Sequence, residues 1–346
     1  MPLIGSLGAG SIRGVGGLLK IASSGGGSAA ITLVTSGLVL YLDSRNVTSW
    51  PGSGTTWYDL SGNSKNATFY NNTSKLNNSP GVVSDGTAID SSTLAKNVEG
   101  DFYFNGTVAS NVYQYAAGPN LGTSISQWTA SVWFNAKSFS ANGANPAFFT
   151  GVYTGGGTGQ QTTVNFDIGL NNSFVGGTAT GTDVYVGFFD GSWHTTSSVT
   201  LSTATWYNVT AVYNGTTLNW YINGVAQTPL NYSSTTMTSS IGYRVARRWD
   251  FYDTVDAYVP VVLCYNRTLS STEVTQNYQA LQGRYGGVTA GLTFSYKMSN
   301  TASWKGKPTT NLVSIANWNN AMAGWSGWFW VTGSSTMDNT NTLYSN

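Results

Sequence analysis

WYNVTAVYNGTTLNWYINGVAQ, residues 206–227, is the stretch whose reading decides the fold. Asn214-Gly215 and Asn223-Gly224 are hairpin-turn dipeptides, because both central residues of the favoured two-residue turn need positive φ. Between them Leu218, Trp220 and Ile222 alternate with Asn219, Tyr221 and Asn223, the period of a strand with one buried face. Three strands therefore follow in a meander, and connections this short make them antiparallel.

The same alternation recurs upstream in Val164–Leu170, and Val184–Phe189 reads as a further strand. Composition agrees. Of 346 residues 42 are Gly, 14% are aromatic and only 8% are charged, which is strand-and-turn composition with ample material for a core. The expected fold is all-β, a two-sheet antiparallel jelly-roll sandwich with one short closing helix.

That helix is expected within Tyr265–Tyr285, YNRTLSSTEVTQNYQALQGRY. Ser270 and Glu273 form a capping box, and Leu269 and Val274 are spaced as a hydrophobic staple. Val274, Tyr278 and Leu281 make one apolar stripe, and Gly283 is expected to supply a left-handed stop.

Three segments result. Residues 1–30 form a Gly-rich arm whose Leu3, Ile4, Leu7, Ile12, Arg13 and Val15 are candidates for anchoring it in a groove on another protein. Residues 31–286 form the sandwich. Residues 287–346 are a Trp-rich β segment, read as the start of a further domain, with a polar end and no evident closing strand.

Net charge of +1 argues against a nucleic-acid-binding surface. Arg244, Arg247 and Arg248 are the local basic cluster and read as surface arginines on a loop. Cys264, the sole cysteine, reads as a buried small hydrophobe rather than a catalytic thiol. No apolar run is long enough to cross a membrane as a helix, and no secretion signal is evident.

In the middle segment Gly37–Asp43, Thr56–Asn63, Asp101–Gly106, Trp128–Phe134, Thr205–Thr210 and Tyr265–Tyr285 follow one another in an order that resembles the laminin-G-like, concanavalin A-like lectin family. The resemblance implies a sandwich of two curved antiparallel sheets that binds glycans or proteins or serves as a spacer, in some members with calcium at the rim. The ending Gln276-Asn277-Tyr278 through Gly283-Arg284-Tyr285 looks most like proteins of tailed bacteriophages, and the Gly-rich arm resembles leaders of marine phage virion proteins.

Retaining glycosidases need two carboxylates about 5 Å apart. The chain has only two glutamates, Glu99 and Glu273, and the capping box accounts for the second. No enzyme activity and no catalytic residue is therefore expected. Asp250, Asp253 and Asp256 are weak calcium candidates, for which a solvated acidic loop is the favoured reading; no other cofactor is implied. Trp193, Tyr252 and Trp57 lie in turn-rich stretches where aromatics could stack on sugars, against packing under loops.

The expected function is that of a non-enzymatic virion structural protein on the exterior of a tailed phage. Its arm would bind other tail or capsid proteins, and the sandwich would act as a tail-fibre or capsid-decoration module. The expected partners are those virion proteins and a host cell-surface glycan, with homo-oligomerisation in the particle and neither nucleic acid nor membrane. The alternative is a carbohydrate-binding adhesin with no tie to a virion.

Overall fold

A computed structural model describes residues 31–72, 86–106, 113–122, 126–142, 146–153, 163–170, 183–190, 192–233, 242–248, 254–285, 335–337 and 343–345. In chain order the first strands are β1 (Leu38–Asp43), β2 (Thr56–Trp57), β3 (Ala67–Asn72), β4 (Thr87–Ala88), β5 (Tyr103–Phe104) and β6 (Tyr113–Pro119). Next come β7 (Trp128–Asn142), β8 (Ala147–Tyr153), β9 (Thr163–Leu170), β10 (Asp183–Phe189), β11 (Trp193–Thr195) and β12 (Val199–Thr200). The meander is β13 (Trp206–Tyr213), β14 (Thr217–Ile222) and β15 (Val225–Ala226), followed by β16 (Leu230–Asn231), β17 (Gly242–Val245), β18 (Thr254–Tyr265) and helix α1 (Ser271–Tyr285). Further on, β19 (Ser335–Met337) and β20 (Leu343–Ser345) pair antiparallel, so the polar end does contain a strand.

Two antiparallel sheets make the sandwich. An eight-stranded sheet runs β1-β18-β7-β13-β14-β15, with β16 on β14 and β5 on β18. A ten-stranded sheet runs β11-β10-β9-β8-β17-β6-β3-β2, with β12 on β10 and β4 on β3. Alternation decides what lies between them. Val132 and Phe134 of β7 and Val209 and Ala211 of β13 face Phe166, Ile168, Val184 and Val186 of the other sheet in one buried cluster. Aromatic contacts join the layers: Phe134 stacks on Phe148 at 3.7 Å, and Phe188 meets Tyr213 at 5.2 Å. Cys264 is buried in this cluster, and burial pushes its thiol pKa well up, so it stays protonated.

The meander forms as read, with one difference. Asn223 and Gly224 both have positive φ, 52° and 77°, and make the two-residue turn. Asn214 does not. Its side chain accepts from the amides of Thr216 and Thr217, and this Asx turn makes a three-residue connection with only Gly215 at positive φ.

Helix α1 starts as the capping box requires. The Ser270 amide donates to Glu273 Oε2 at 2.9 Å, and the Glu273 amide donates to Ser270 Oγ at 3.2 Å. Leu269, Val274, Leu281 and Tyr285 bury themselves against Trp133, Val261, Leu263 and Tyr265 on the outer face of the eight-stranded sheet. Gly283 is not the stop. It sits inside the last turn without positive φ, and the helix runs on to Tyr285, whose ring packs on Trp133 and Trp206. Asn277 adds a polar tie within the apolar seam: it accepts from the Val34 amide at 2.8 Å and donates to the Tyr265 hydroxyl at 2.9 Å. Among the described residues no helix is long and apolar enough to cross a membrane.

Arg267 holds Glu273 bidentately, at 2.5 and 3.0 Å, and donates from Nε to the Ser36 carbonyl. The Arg267 guanidinium, then the Ser270 amide, lower the Glu273 carboxyl from 4.5 to about 2. A depressed folded pKa gives stability that is present above the unfolded value and is lost as pH falls from 4.5 toward 2. Glu273→Gln is expected to remove this acid-sensitive part and to cost about 1 kcal/mol of capping at neutral pH. Denaturant titrations of both forms across that range check it; parallel stability curves would contradict it.

A second set of charges closes the sandwich where β1, the loop before β5 and the end of α1 meet. Arg45 grips Asp101 through Nε at 2.5 Å and Nη2 at 2.6 Å, reaches Glu99 at 3.2 Å and donates to the Arg284 carbonyl at 2.9 Å. Arg284 in turn grips Asp43 with two 2.6 Å bonds. The Tyr285 ring lies under the Arg45 guanidinium at 4.4 Å. Burial, then the Asp43 carboxylate, push the Tyr41 hydroxyl pKa well up, so Tyr41 remains a donor to Asp43. Beside this clasp Asp59 organises its own loop, accepting from the amides of Tyr41, Ser61 and Lys65. Much of the TWYDLSGN and LVLYLD stretches thus serves loop and end closure.

Candidate functional site

Period-two alternation sends one set of side chains of the ten-stranded sheet away from the core. Tyr243 and Val245 point inward from β17, which turns Arg244 outward; Phe166 and Ile168 do the same for Asp167 on β9. Register then lines up Ala117, Arg244, Thr150, Asp167 and Gly187 across five strands. Tyr185 stands beside them on β10, over Gly169.

Arg244, Arg247 and Arg248 are 0%, 1% and 1% exposed, so the reading of surface arginines is wrong. Their guanidinium groups lie against aromatic faces and carbonyls instead. Arg247 lies 4.7 Å over the Tyr115 ring, and Arg244 donates to the Arg248 carbonyl at 3.1 Å. Flat, delocalised cations can be buried in this way when rings and hydrogen-bond acceptors replace water.

The arrangement ends on Trp193. Tyr185 donates to Asp167 Oδ2 at 2.7 Å, and Arg248 Nε approaches the same oxygen at 3.5 Å. The Arg248 guanidinium then lies 4.6 Å over the Trp193 indole, which also meets Phe189 at 5.3 Å. Trp193 is half-buried on the edge strand β11. Its neighbour His194 turns to the other side, paired with Asp190 at 2.8 Å and stacked 3.5 Å from the partly exposed Tyr232. The result is an aromatic ring whose orientation is fixed before any ligand arrives.

The remaining candidates fall elsewhere. Trp57 is fully buried, stacked on Phe69 at 5.7 Å and edge-on to Phe102 at 5.1 Å, and is a core residue with no surface to offer a sugar. Asp256 is buried on β18 and accepts the Tyr103 hydroxyl. Asp250, Asp253 and Tyr252 lie outside the described residues, as do Leu3, Ile4, Leu7, Ile12, Arg13 and Val15 of the arm. Among the described residues no three His, Cys, Asp or Glu side chains gather as a metal cradle. Sequence reasoning misread Arg248 and missed Asp167 and Tyr185; the signal available was Asp167, a charged residue at an outward position of an otherwise apolar strand.

A family model described as Laminin_G_3, Concanavalin A-like lectin/glucanases superfamily, matches residues 110–275. No curated protein matches the chain in sequence. Among solved structures, the binding domain of botulinum neurotoxin DC in complex with rat synaptotagmin II is similar at TM-score 0.50 and 12% identity, over 72% of this chain and 52% of that one. The botulinum neurotoxin type C structure, described with two ganglioside molecules, gives 0.48 and 14%, over 72% and 52%. Domain 4 of AbnA, a GH43 extracellular arabinanase from Geobacillus stearothermophilus in complex with arabinotriose, gives 0.46 and 13%, over 70% and 98%. The chain spans about half the length of the neurotoxin chains it matches, and at such identities the likeness speaks to fold alone. The family match over residues 110–275 and the two-sheet topology agree with the fold of the concanavalin A-like lectin/glucanases superfamily.

Proposed function

We propose that the domain is a non-enzymatic carbohydrate-recognition module that takes a sugar ring against Trp193 at the β11 edge of the ten-stranded sheet. The observation that carries this is the orienting chain from Tyr185 through Asp167 and Arg248 to a half-exposed indole. A stiff aromatic surface offers stacking area at little entropic cost on binding. Supporting the absence of catalysis, both glutamates have structural work: Glu273 holds the cap and Arg267, and Glu99 lies on Arg45.

A glycan array tests the reading. Trp193→Ala should weaken binding of at least one positive glycan about tenfold or more, with unfolding behaviour retained because the ring is half-exposed. Binding unchanged in that variant would sink the site. Mass spectrometry of the glycan after long incubation should recover it uncut; shorter products would refute the non-enzymatic reading.

The setting we propose is the exterior of a tailed-phage particle, with residues 1–30 anchoring the module to tail or capsid proteins. Its support is the resemblance of the Tyr265–Tyr285 ending and of the Gly-rich arm to phage virion proteins. Proteomics of purified particles decides between this and an adhesin with no virion, since absence from the particles leaves the adhesin.

A further inference from the structure

Among the described residues the outer face of the eight-stranded sheet is only partly covered. Helix α1 lies over Val261, Leu263 and Tyr265 of β18 and ends at Tyr285. A register shift in β18 between Tyr258 and Val261 separates this covered half from the remainder of the outer face. On the far side of the shift, Tyr103, Tyr258, Asn135 and Trp206 stand directly opposite one another on β5, β18, β7 and β13. All four are half-buried, and at a strand spacing of about 4.8 Å the row extends for roughly 14 Å.

The rings form a stepped surface. Tyr103 and Tyr258 are 5.4 Å apart at 48°, Tyr258 and Trp206 are 6.4 Å apart at 43°, and Trp206 leans on Tyr285 at 5.0 Å. Asp256, buried two residues before Tyr258 on β18, accepts the Tyr103 hydroxyl and fixes that ring. The charge presented outward in this row is the ammonium of exposed Lys137, 3.8 Å over Tyr103 and 5.2 Å from the Tyr258 centroid.

We propose that this row is a second glycan-binding surface, separate from the Trp193 face, and that it takes an acidic pyranose chain. Sugar faces would stack on Tyr258 and Trp206, hydroxyls would meet the Asn135 amide, and a ring carboxylate would meet Lys137. Two features support it together: tilted aromatics with one amide set between two of them, and an outward cation, while the Asp256 carboxylate is buried and taken up by the Tyr103 hydroxyl. Cation and carboxylate attract across a half-exposed surface, and the attraction weakens with salt. A neutral glycan would leave Lys137 without a role, and an apolar protein patch would have to cover Asn135 and the ammonium.

The test uses the full chain with four probes: tetragalacturonate, a mannuronate tetramer, a hyaluronan tetrasaccharide and sialyllactose, with cellotetraose as the neutral comparison. At least one acidic probe should bind and quench tryptophan fluorescence, more weakly as salt rises. Tyr258→Ala should weaken it about tenfold or more, and Lys137→Gln by a smaller factor while abolishing the salt dependence. Lys137→Gln removes an exposed side chain, so it reports on binding even if Tyr258→Ala fails to fold. Trp193→Ala should leave the acidic probe bound. Failure of all four acidic probes, equal or tighter binding of cellotetraose by the Trp193→Ala variant, or affinity unmoved by both row variants would overturn the proposal. Loss of the acidic probe in Trp193→Ala alone would assign it to the other face and likewise overturn it.

Discussion

Replacing Arg45 by Met is expected to lower the unfolding free energy by about 3–5 kcal/mol, since one partner of a buried ion pair is removed and the other is left. Asp101 is fully buried, while Arg45 gives it two short bonds and is itself only 12% exposed. Asn97 Nδ2 still donates to Asp101 Oδ2 at 2.7 Å, which places the loss toward the lower end. For a domain of this size the change corresponds to roughly 6–20 °C in Tm. Paired replacement by Arg45→Met with Asp101→Leu should restore much of it, because an apolar pair needs no compensation for lost hydration. Denaturant unfolding of the two single variants and the double variant provides the cycle. A loss below about 1 kcal/mol, typical of exposed pairs, would show that the clasp is only a surface contact.

Trp57→Ala is expected to cost a similar amount, about 3–5 kcal/mol, through the cavity it leaves between Phe69 and Phe102. Trp57→Phe should cost far less. Among the described residues the buried indole N–H has no hydrogen-bond partner, so removing it forfeits no bond and relieves a desolvated donor. Glycan binding by the Phe variant should match the parent chain. Thermal melts and the array together check this, and normal stability of Trp57→Ala would mean that the ring is not part of the core.

The fold was legible wherever information is local. A two-residue alternation, an Asn-Gly dipeptide at 223–224 and a Ser270/Glu273 box each specify their own structure within a few residues, and together they define a sandwich with a capped helix. The turn at Asn214-Gly215 went astray because an Asn can also bond its own downstream amides, and the dipeptide does not say which turn it makes.

The sites were less legible because their parts are far apart in sequence. Arg244, Arg247 and Arg248 look exposed by residue type, and groups from other strands, among them the faces of Tyr115 and Trp193 and the Asp167 carboxylate, make their burial tolerable. Trp193 was identifiable as an aromatic in a turn-rich stretch, but Trp57 carries the same local signature and lies in the core. The Tyr103–Tyr258–Asn135–Trp206 row exists only through the register of four strands.

The most direct measurement is a crystal structure of the chain soaked with the glycan that the array identifies as dependent on Trp193. The sugar ring is predicted to lie against the Trp193 indole at the β11 edge, with Arg248 still packed on Trp193 and ion-paired with Asp167. A glycan seated elsewhere while Trp193 remains bare would contradict the account.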